Sequence, residues 1–235
     1  MKRAQPWLGT FVQIGIDACT GDTDAAFSTG FAAIARMHEA MSPQRPDSDL
    51  ARFNAAPSGA AIVCDEWTLT VLAAARELGE ASEGVFDVSL GSGGASAWSL
   101  DANRLRKHEK NVRLDLGGIA KGEAVDRACA ALRNTGVTAG WVNAGGDLRV
   151  FGDRSIPIHA RVHKEPARIR PLAKLRDGAI ATSAFDPESY PLAQCRQVSV
   201  AAPQCRWADA LTKIVGIAPE IGMRLLPRYD AHAWI

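Results

Sequence analysis

A glycine pair between a short apolar strand and a helix is the feature that most constrains the fold of this chain. It lies in the run Leu114-Asp-Leu-Gly-Gly-Ile-Ala-Lys-Gly-Glu-Ala-Val-Asp126. The pattern predicts a strand over Val112–Leu116 and a helix over Ile119–Asn134. A helix N-terminus offers unpaired N–H groups and a positive dipole to an anion, and Lys121 adds a cation, so the turn is suited to a pyrophosphate group. The run matches neither common glycine-rich nucleotide motif, so an ordinary strand–turn–helix stays open.

Two more glycine-containing turns carry acidic side chains. Asn143-Ala-Gly-Gly-Asp147 follows a predicted strand, and its glycines suggest positive φ or close approach of a ligand. Asp147 is interpreted as a hydrogen-bonding or turn residue. In Gly84-Val-Phe-Asp-Val-Ser89, Phe86 could lie against a flat ligand with Asp87 on a polar group. A core phenylalanine beside a turn aspartate is the simpler alternative.

The segment Ala208-Asp-Ala-Leu-Thr-Lys213 predicts an acidic helix start after a strand. Residues four apart share a helix face, so Asp209 and Lys213 could form a surface ion pair. Asp209 could equally be a helix cap. The local sequence alone therefore leaves three roles open for Asp209: a surface ion pair, a helix cap or part of a functional site.

The composition of the chain limits which kinds of partner and which cellular locations we expect. The chain has 235 residues and a formal net charge of +1, which gives no electrostatic argument for binding nucleic acid. No stretch approaches the roughly 20 apolar residues that span a bilayer. No apolar signal-peptide segment follows Met1, so we expect a cytoplasmic protein, or a periplasmic one if an export signal was removed.

Strands and helices are interspersed along the chain without strict alternation, which predicts an α+β fold. A helical stripe runs from Phe27 to Met41, and Asp65 is placed to cap a helix that ends near Ser82. No repeat or linker divides the sequence, so residues 1–235 are predicted to form one domain.

Taken together, these segments resemble the FAD:protein FMN transferases, the ApbE family. Members split FAD and attach FMN through a phosphoester to a threonine or serine of an acceptor flavoprotein. The matching motifs cover nearly the whole chain: Leu8-Gly-Thr10, Met41-Ser42, Ser48-Asp-Leu50 with Asn54, Gly84-Val-Phe-Asp87, Asp115–Asp126, Asn143–Asp147, Ala181-Thr-Ser183 and Asp209-Ala-Leu211. The resemblance implies an ApbE-like fold, related to the T-fold, in which mixed sheets pack with helices.

The resemblance also implies a set of site residues. The residues that map to FAD contacts, with Lys121 added from the helix argument above, are Met41, Val85, Phe86, Asp87, Gly117, Lys121 and Glu123. In the family, Mg²⁺ is held by the carbonyl corresponding to Ala120, the aspartate corresponding to Asp209 and a threonine. We predict that Asp209 and Lys213 carry the catalysis.

The chain departs from the family at that threonine, which is Lys213 here, with Thr212 one residue earlier. An ammonium cannot ligate Mg²⁺, which takes oxygen ligands. Either Lys213 binds phosphate as a point charge, or Thr212 shifts in as ligand, although one residue is about 100° round a helix. We therefore expect weakened or absent Mg²⁺ binding. The segment after Ala181-Thr-Ser183 is also shorter than in the family and lacks its histidine, which predicts a more exposed flavin ring.

Three functions are consistent with these observations. The first is FMN transfer from FAD to a threonine or serine of an acceptor flavoprotein. The second is a non-catalytic FAD-binding or flavin-carrier protein that kept the fold. The third is hydrolysis of FAD to FMN and AMP. Fold alone does not choose among them.

Overall fold

A computed structural model describes residues 1–162, 165–188 and 190–235. Within these residues the strands are β1 Lys2–Trp7, β2 Thr10–Cys19, β3 Ala61–Val63, β4 Trp98–Asp101, β5 Arg104–Lys107, β6 Val137–Ala144, β7 Asp147–Val162, β8 Glu165–Ala184, β9 Gln197–Ala202 and β10 His232–Trp234. The α-helices are α1 Thr23–Met41, α2 Asp49–Ala55, α3 Glu66–Ala81, α4 Ala120–Asn134, α5 Cys205–Ile217 and α6 Pro219–Leu225. This content confirms the α+β prediction. No helix in the described ranges is long and apolar enough to cross a membrane.

The chain packs as two units. Residues Met1–Ile34 and Lys121–Ile235 form what we call the sheet unit, and Ala35–Ala120 form the small unit. Helices α1 and α4 each contain residues of both. The two units are described separately, and the single domain over residues 1–235 stays a prediction.

In the sheet unit, the described strands form one antiparallel sheet in the order β1-β2-β6-β7-β8-β9-β10. Helix α5 packs on one face, over β8 and β9. Val198 and Val200 of β9 share one face and are buried, and Ser199, on the other face, is buried as well. A separate cluster of Val150, Leu175 and Ile180 forms a core of its own in the β7–β8 hairpin.

In the small unit, β3, β5 and β4 form an antiparallel sheet beside α2 and α3. Helix α3 begins and ends where the sequence predicts, because its caps are local: the Asp65 carboxylate accepts the Trp67 N–H, and Ser82 is the C-cap. The side chain of Lys107 is buried, and its ammonium donates to the carbonyl of Asn54 at 3.2 Å, at the C-terminus of α2.

The strand predicted over Val112–Leu116 is wrong, since this segment belongs to neither sheet. Its backbone is instead bound by a side chain. The Asn54 amide accepts the Leu114 N–H at 2.8 Å and donates to the Leu114 carbonyl at 3.0 Å. One amide thus satisfies both groups that a neighbouring strand would have bound.

Candidate functional site

Four charged side chains of the sheet unit meet at the start of α4, the β6–β7 turn and α5. The Lys121 ammonium lies 2.5 Å from Oδ2 of Asp147 and 3.8 Å from Oδ2 of Asp209. The Lys213 ammonium bonds to Oδ1 of Asp209 and, at 3.1 Å, to the Asp209 carbonyl. The Asp209 side chain is fully buried, whereas that of Lys121 is 36% exposed. This charged cluster therefore joins two buried carboxylates to two ammonium groups that solvent reaches.

Asp147 belongs to the charged cluster because the turn before it points its side chain into the protein. Gly145 and Gly146 have φ of 63° and 110°, which confirms the predicted positive φ, and the Asn143 side chain accepts the Gly146 N–H at 2.9 Å. The turn directs Asp147 into the protein, where its side chain is 4% exposed. From its sequence, Asp147 is expected only as a hydrogen-bonding or turn residue and is not among the predicted site residues. Its place one residue after two glycines was the available signal.

Helix α5 approaches α4 closely because α4 carries a glycine at the crossing. A Cβ on Gly122 would lie 2.4 Å from the Cys205 carbonyl oxygen, closer than atoms approach without displacement. The Gly122 N–H also donates to Oδ2 of Asp209 at 3.2 Å. The glycine in the Ala-Lys-Gly sequence is therefore a packing residue that sets the position of Asp209.

Asp126 caps α5 from a neighbouring helix. Its two carboxylate oxygens accept the N–H groups of Cys205 and Arg206 at 2.9 and 3.0 Å, while Arg149 pairs with it at 2.5 Å. The prediction that Asp209 opens the helix is therefore wrong: α5 begins at Cys205, and Asp209 lies one turn further on. The local sequence could not show this, because the capping carboxylate comes from α4.

Burial and neighbouring charge shift the pKa values of these groups. Burial, followed by the negative charge of Asp209, raises the pKa of Asp147 to about 6, against the opposing effect of Lys121. Burial opposes the charged form of Lys121, but the carboxylates of Asp209 and Asp147 outweigh it and raise its pKa. Burial also raises the pKa of Asp126, which Arg149 opposes. Lys121 is accordingly a firmly charged cation.

The N–H groups at the start of α4 are largely occupied. The Gly117 N–H donates to the Asp115 side chain at 2.6 Å, and those of Ile119 and Ala120 donate to the Leu116 carbonyl. The prediction that this helix start offers unpaired N–H groups to an anion is therefore wrong for these residues. The charged cluster, in contrast, offers the ammonium groups of Lys121 and Lys213 to an anion.

The residues predicted to hold Mg²⁺ do not present a free ligand set. Both oxygens of Asp209 are engaged, by Lys213 and by Gly122 and Lys121. The buried Thr212 hydroxyl donates to the Asp209 carbonyl at 2.6 Å and bonds to Ser183 Oγ at 2.7 Å. Among the described residues, no three His, Cys, Asp or Glu side chains form a group able to hold a metal ion.

Glu123 lies apart from the charged cluster. Its carboxylate, 3% exposed, pairs with Arg127 at 2.7 Å and Arg206 at 3.4 Å. Positions 121 and 123 point about 200° apart around a helix, which explains the separation. Its contact with FAD stays a prediction.

The other predicted residues belong to the small unit: Met41, Val85, Phe86, Asp87, Gly117 and Ala120. Met41 and Phe86 are buried. The Asp87 carboxylate accepts N–H groups of Ser89 and Gly91 at 2.8 and 2.9 Å. A core phenylalanine beside a turn aspartate, the simpler alternative, thus describes this turn, and the FAD contacts stay predictions.

Comparisons with known proteins agree on the family. The model of the ApbE family matches residues 8–100 and 93–235. A protein of Vibrio cholerae named FAD:protein FMN transferase is 27% identical over 63% of this chain and 54% of its own length. One of Rhodobacter capsulatus with the same name is 29% identical over 62% of this chain and 34% of its own. The alignments thus cover about half or less of these curated relatives.

Solved structures show the same fold. The flavin transferase ApbE of Vibrio cholerae superposes with a TM-score of 0.86 at 23% identity, over 99% of this chain and 92% of that one. The apo form of the flavinyl transferase ApbE of Pseudomonas stutzeri gives a TM-score of 0.85 at 22% identity, over 99% and 89%. These superpositions confirm the expected fold.

Proposed function

Because the chain belongs to the ApbE family, we propose that it is an FAD:protein FMN transferase. The donor is FAD, the acceptor is a threonine or serine hydroxyl of a flavoprotein, and AMP is released. Two curated relatives that carry this name support the proposal. The observation that carries it in this chain is the charged cluster, in which Lys121, from the run typical of the family, and Lys213 of α5 both pair with Asp209.

The charges of the cluster suit phosphoryl transfer. The acceptor oxygen forms a bond to the phosphorus of the FMN half, the bond from that phosphorus to the bridging oxygen breaks, and AMP leaves with the bond's electron pair. The acceptor hydroxyl loses its proton to the solvent. Such a reaction depends mainly on positioning and on neutralising charge on the phosphate oxygens. Lys121 and Lys213 would bind those oxygens, while Asp209 holds the two ammonium groups in place.

Mass spectrometry of an acceptor domain tests the proposal. The protein is incubated with FAD and a domain that carries the target threonine, with and without Mg²⁺. Addition of one FMN to the acceptor is expected. Free FMN and AMP with an unlabelled acceptor would indicate FAD hydrolysis, and bound, unchanged FAD would indicate a carrier protein.

A pair of variants connects the activity to the cluster. Asp209→Asn removes the charge that holds Lys121 and Lys213, so we expect loss of FMN transfer. Asp177→Asn is the matched control, because Asp177 is an exposed carboxylate of the same unit that pairs with Arg133 at the surface. Unimpaired transfer by Asp209→Asn would remove Asp209 from the mechanism.

A further inference from the structure

The carboxylate expected to hold a divalent cation is already neutralised by lysine side chains. Oδ1 of Asp209 bonds to the Lys213 ammonium, and Oδ2 lies 3.8 Å from the Lys121 ammonium. The carboxylate is fully buried, so no water competes for these oxygens. A metal ion could bind only by displacing an ammonium from a buried anion, which costs the attraction of that pair.

Thr212 does not offer a replacement oxygen. Its hydroxyl is buried and bridges the Asp209 carbonyl, one turn back, to Ser183 on β8. It would have to break both hydrogen bonds to turn toward a metal held by Asp209. Leaving buried polar groups unpaired is unfavourable, so the hydroxyl stays where it is.

Lys213 has the reach and charge to act as the cation itself. Its ammonium bonds to the buried carboxylate of Asp209, and 18% of its side chain is exposed. A lysine ammonium has three donors, and only some are used by the Asp209 oxygens. It can therefore donate to a phosphate oxygen while remaining paired with Asp209.

We propose that the Lys213 ammonium replaces the divalent cation in this chain, so that the diphosphate of FAD is bound without Mg²⁺ by Lys213 together with Lys121. The inference rests on the proposed function, because it assumes that FAD is the ligand. Lys213 provides the positive charge that a metal would otherwise bring to Asp209. Binding of FAD and transfer of FMN are then both insensitive to chelators.

FAD binding to the unmodified full chain is the primary test. Binding is measured by isothermal titration calorimetry, without acceptor, in excess EDTA and again in excess MgCl₂. We expect equal affinities, within about twofold, in the two conditions. Binding that needs MgCl₂ would overturn the inference and leave the proposed function intact. Absence of binding in both conditions would overturn the proposed function and the inference with it.

Variants at position 213 give a second, independent measurement. Lys213→Met removes the ammonium and should weaken FAD binding by roughly tenfold to a hundredfold, as for loss of a charge-assisted hydrogen bond. Lys213→Thr frees Oδ1 of Asp209 and adds a hydroxyl, so its FAD affinity should increase with MgCl₂. Lys174→Met, which removes an exposed lysine of β8, is the control and should bind as the unmodified chain does. Equal, Mg²⁺-independent affinities across all three variants would contradict a role for Lys213.

Discussion

Replacing Asp126 with alanine tests whether a carboxylate of α4 holds α5, and with it Asp209, in position. Two effects add. Loss of a helix cap costs about 1 kcal/mol, and removing the carboxylate from a buried ion pair costs about 3 kcal/mol. Arg149 is 17% exposed and can recover some hydration, so we expect a loss of about 3 kcal/mol in the free energy of unfolding.

Asp65→Ala provides the matched control, since Asp65 also caps a helix and pairs with an arginine. It accepts the Trp67 N–H at 2.8 Å, and its partner Arg36 is 43% exposed. Because exposed ion pairs contribute little, the expected loss is about 1–2 kcal/mol. The comparison isolates what the buried position of Asp126 adds.

Two measurements read the effect of Asp126→Ala. Urea unfolding gives the loss of stability, and hydrogen exchange reports on the N–H groups of Cys205 and Arg206, which lose their acceptor. We expect faster exchange at the start of α5 and weaker FAD binding, because Asp209 lies one turn further on. Asp126→Asn keeps one acceptor oxygen and should fall between. Unchanged exchange at these two residues would refute the capping argument.

Three further substitutions follow from particular contacts. Gly122→Ala places a Cβ 2.4 Å from the Cys205 carbonyl and should destabilise the protein by about 1–3 kcal/mol and weaken FAD binding, measured by urea unfolding and calorimetry. Asn54→Ala leaves the backbone of Leu114 without partners and should cost about 1–3 kcal/mol; an equal midpoint and slope of unfolding would contradict it. The pKa of Asp147 is raised in the folded protein from 3.8 to about 6, so its contribution to stability is present at low pH and is lost as pH rises through that range. The difference in stability between the unmodified chain and Asp147→Asn should therefore change across this window, and a constant difference would refute the shift.

Features with a local cause could be predicted from the sequence. The ends of α3 follow from a capping aspartate, Asp65, and from a glycine stop, Gly84, and both lie within a few residues of the helix. The positive φ of Gly145 and Gly146 is predictable because no other residue adopts it as readily. The family-like run from Asp115 to Asp126 likewise located α4 and Lys121, because its motif is contiguous.

Features that depend on residues far apart in the sequence could not be predicted from it. Asn54 binds Leu114 from 60 positions away, so an apolar segment that looks like a strand needs no strand partner. Asp126 caps α5 from 79 positions away, so the local sequence predicts a helix start about one turn too late. Local sequence describes Asp147 as an ordinary turn residue, and only the structure shows that it pairs with Lys121 of α4. In the first two cases, a polar side chain from a distant part of the sequence takes the place of the local partner that the pattern assumes.

The charges of the cluster lead to a last prediction, which concerns protons. Two carboxylates balance two ammonium groups, and a lysine brings one positive charge fewer than Mg²⁺ would. Asp147 can supply the difference by taking up a proton, because burial and Asp209 raise its pKa to about 6 and a bound diphosphate raises it further. Near neutral pH, FAD binding should therefore take up protons, seen by calorimetry as an enthalpy that varies with the ionisation enthalpy of the buffer. Asp147→Asn should abolish the dependence of the binding enthalpy on the buffer. A buffer-independent enthalpy in the unmodified chain would mean that Asp147 stays ionised and that other groups neutralise the diphosphate.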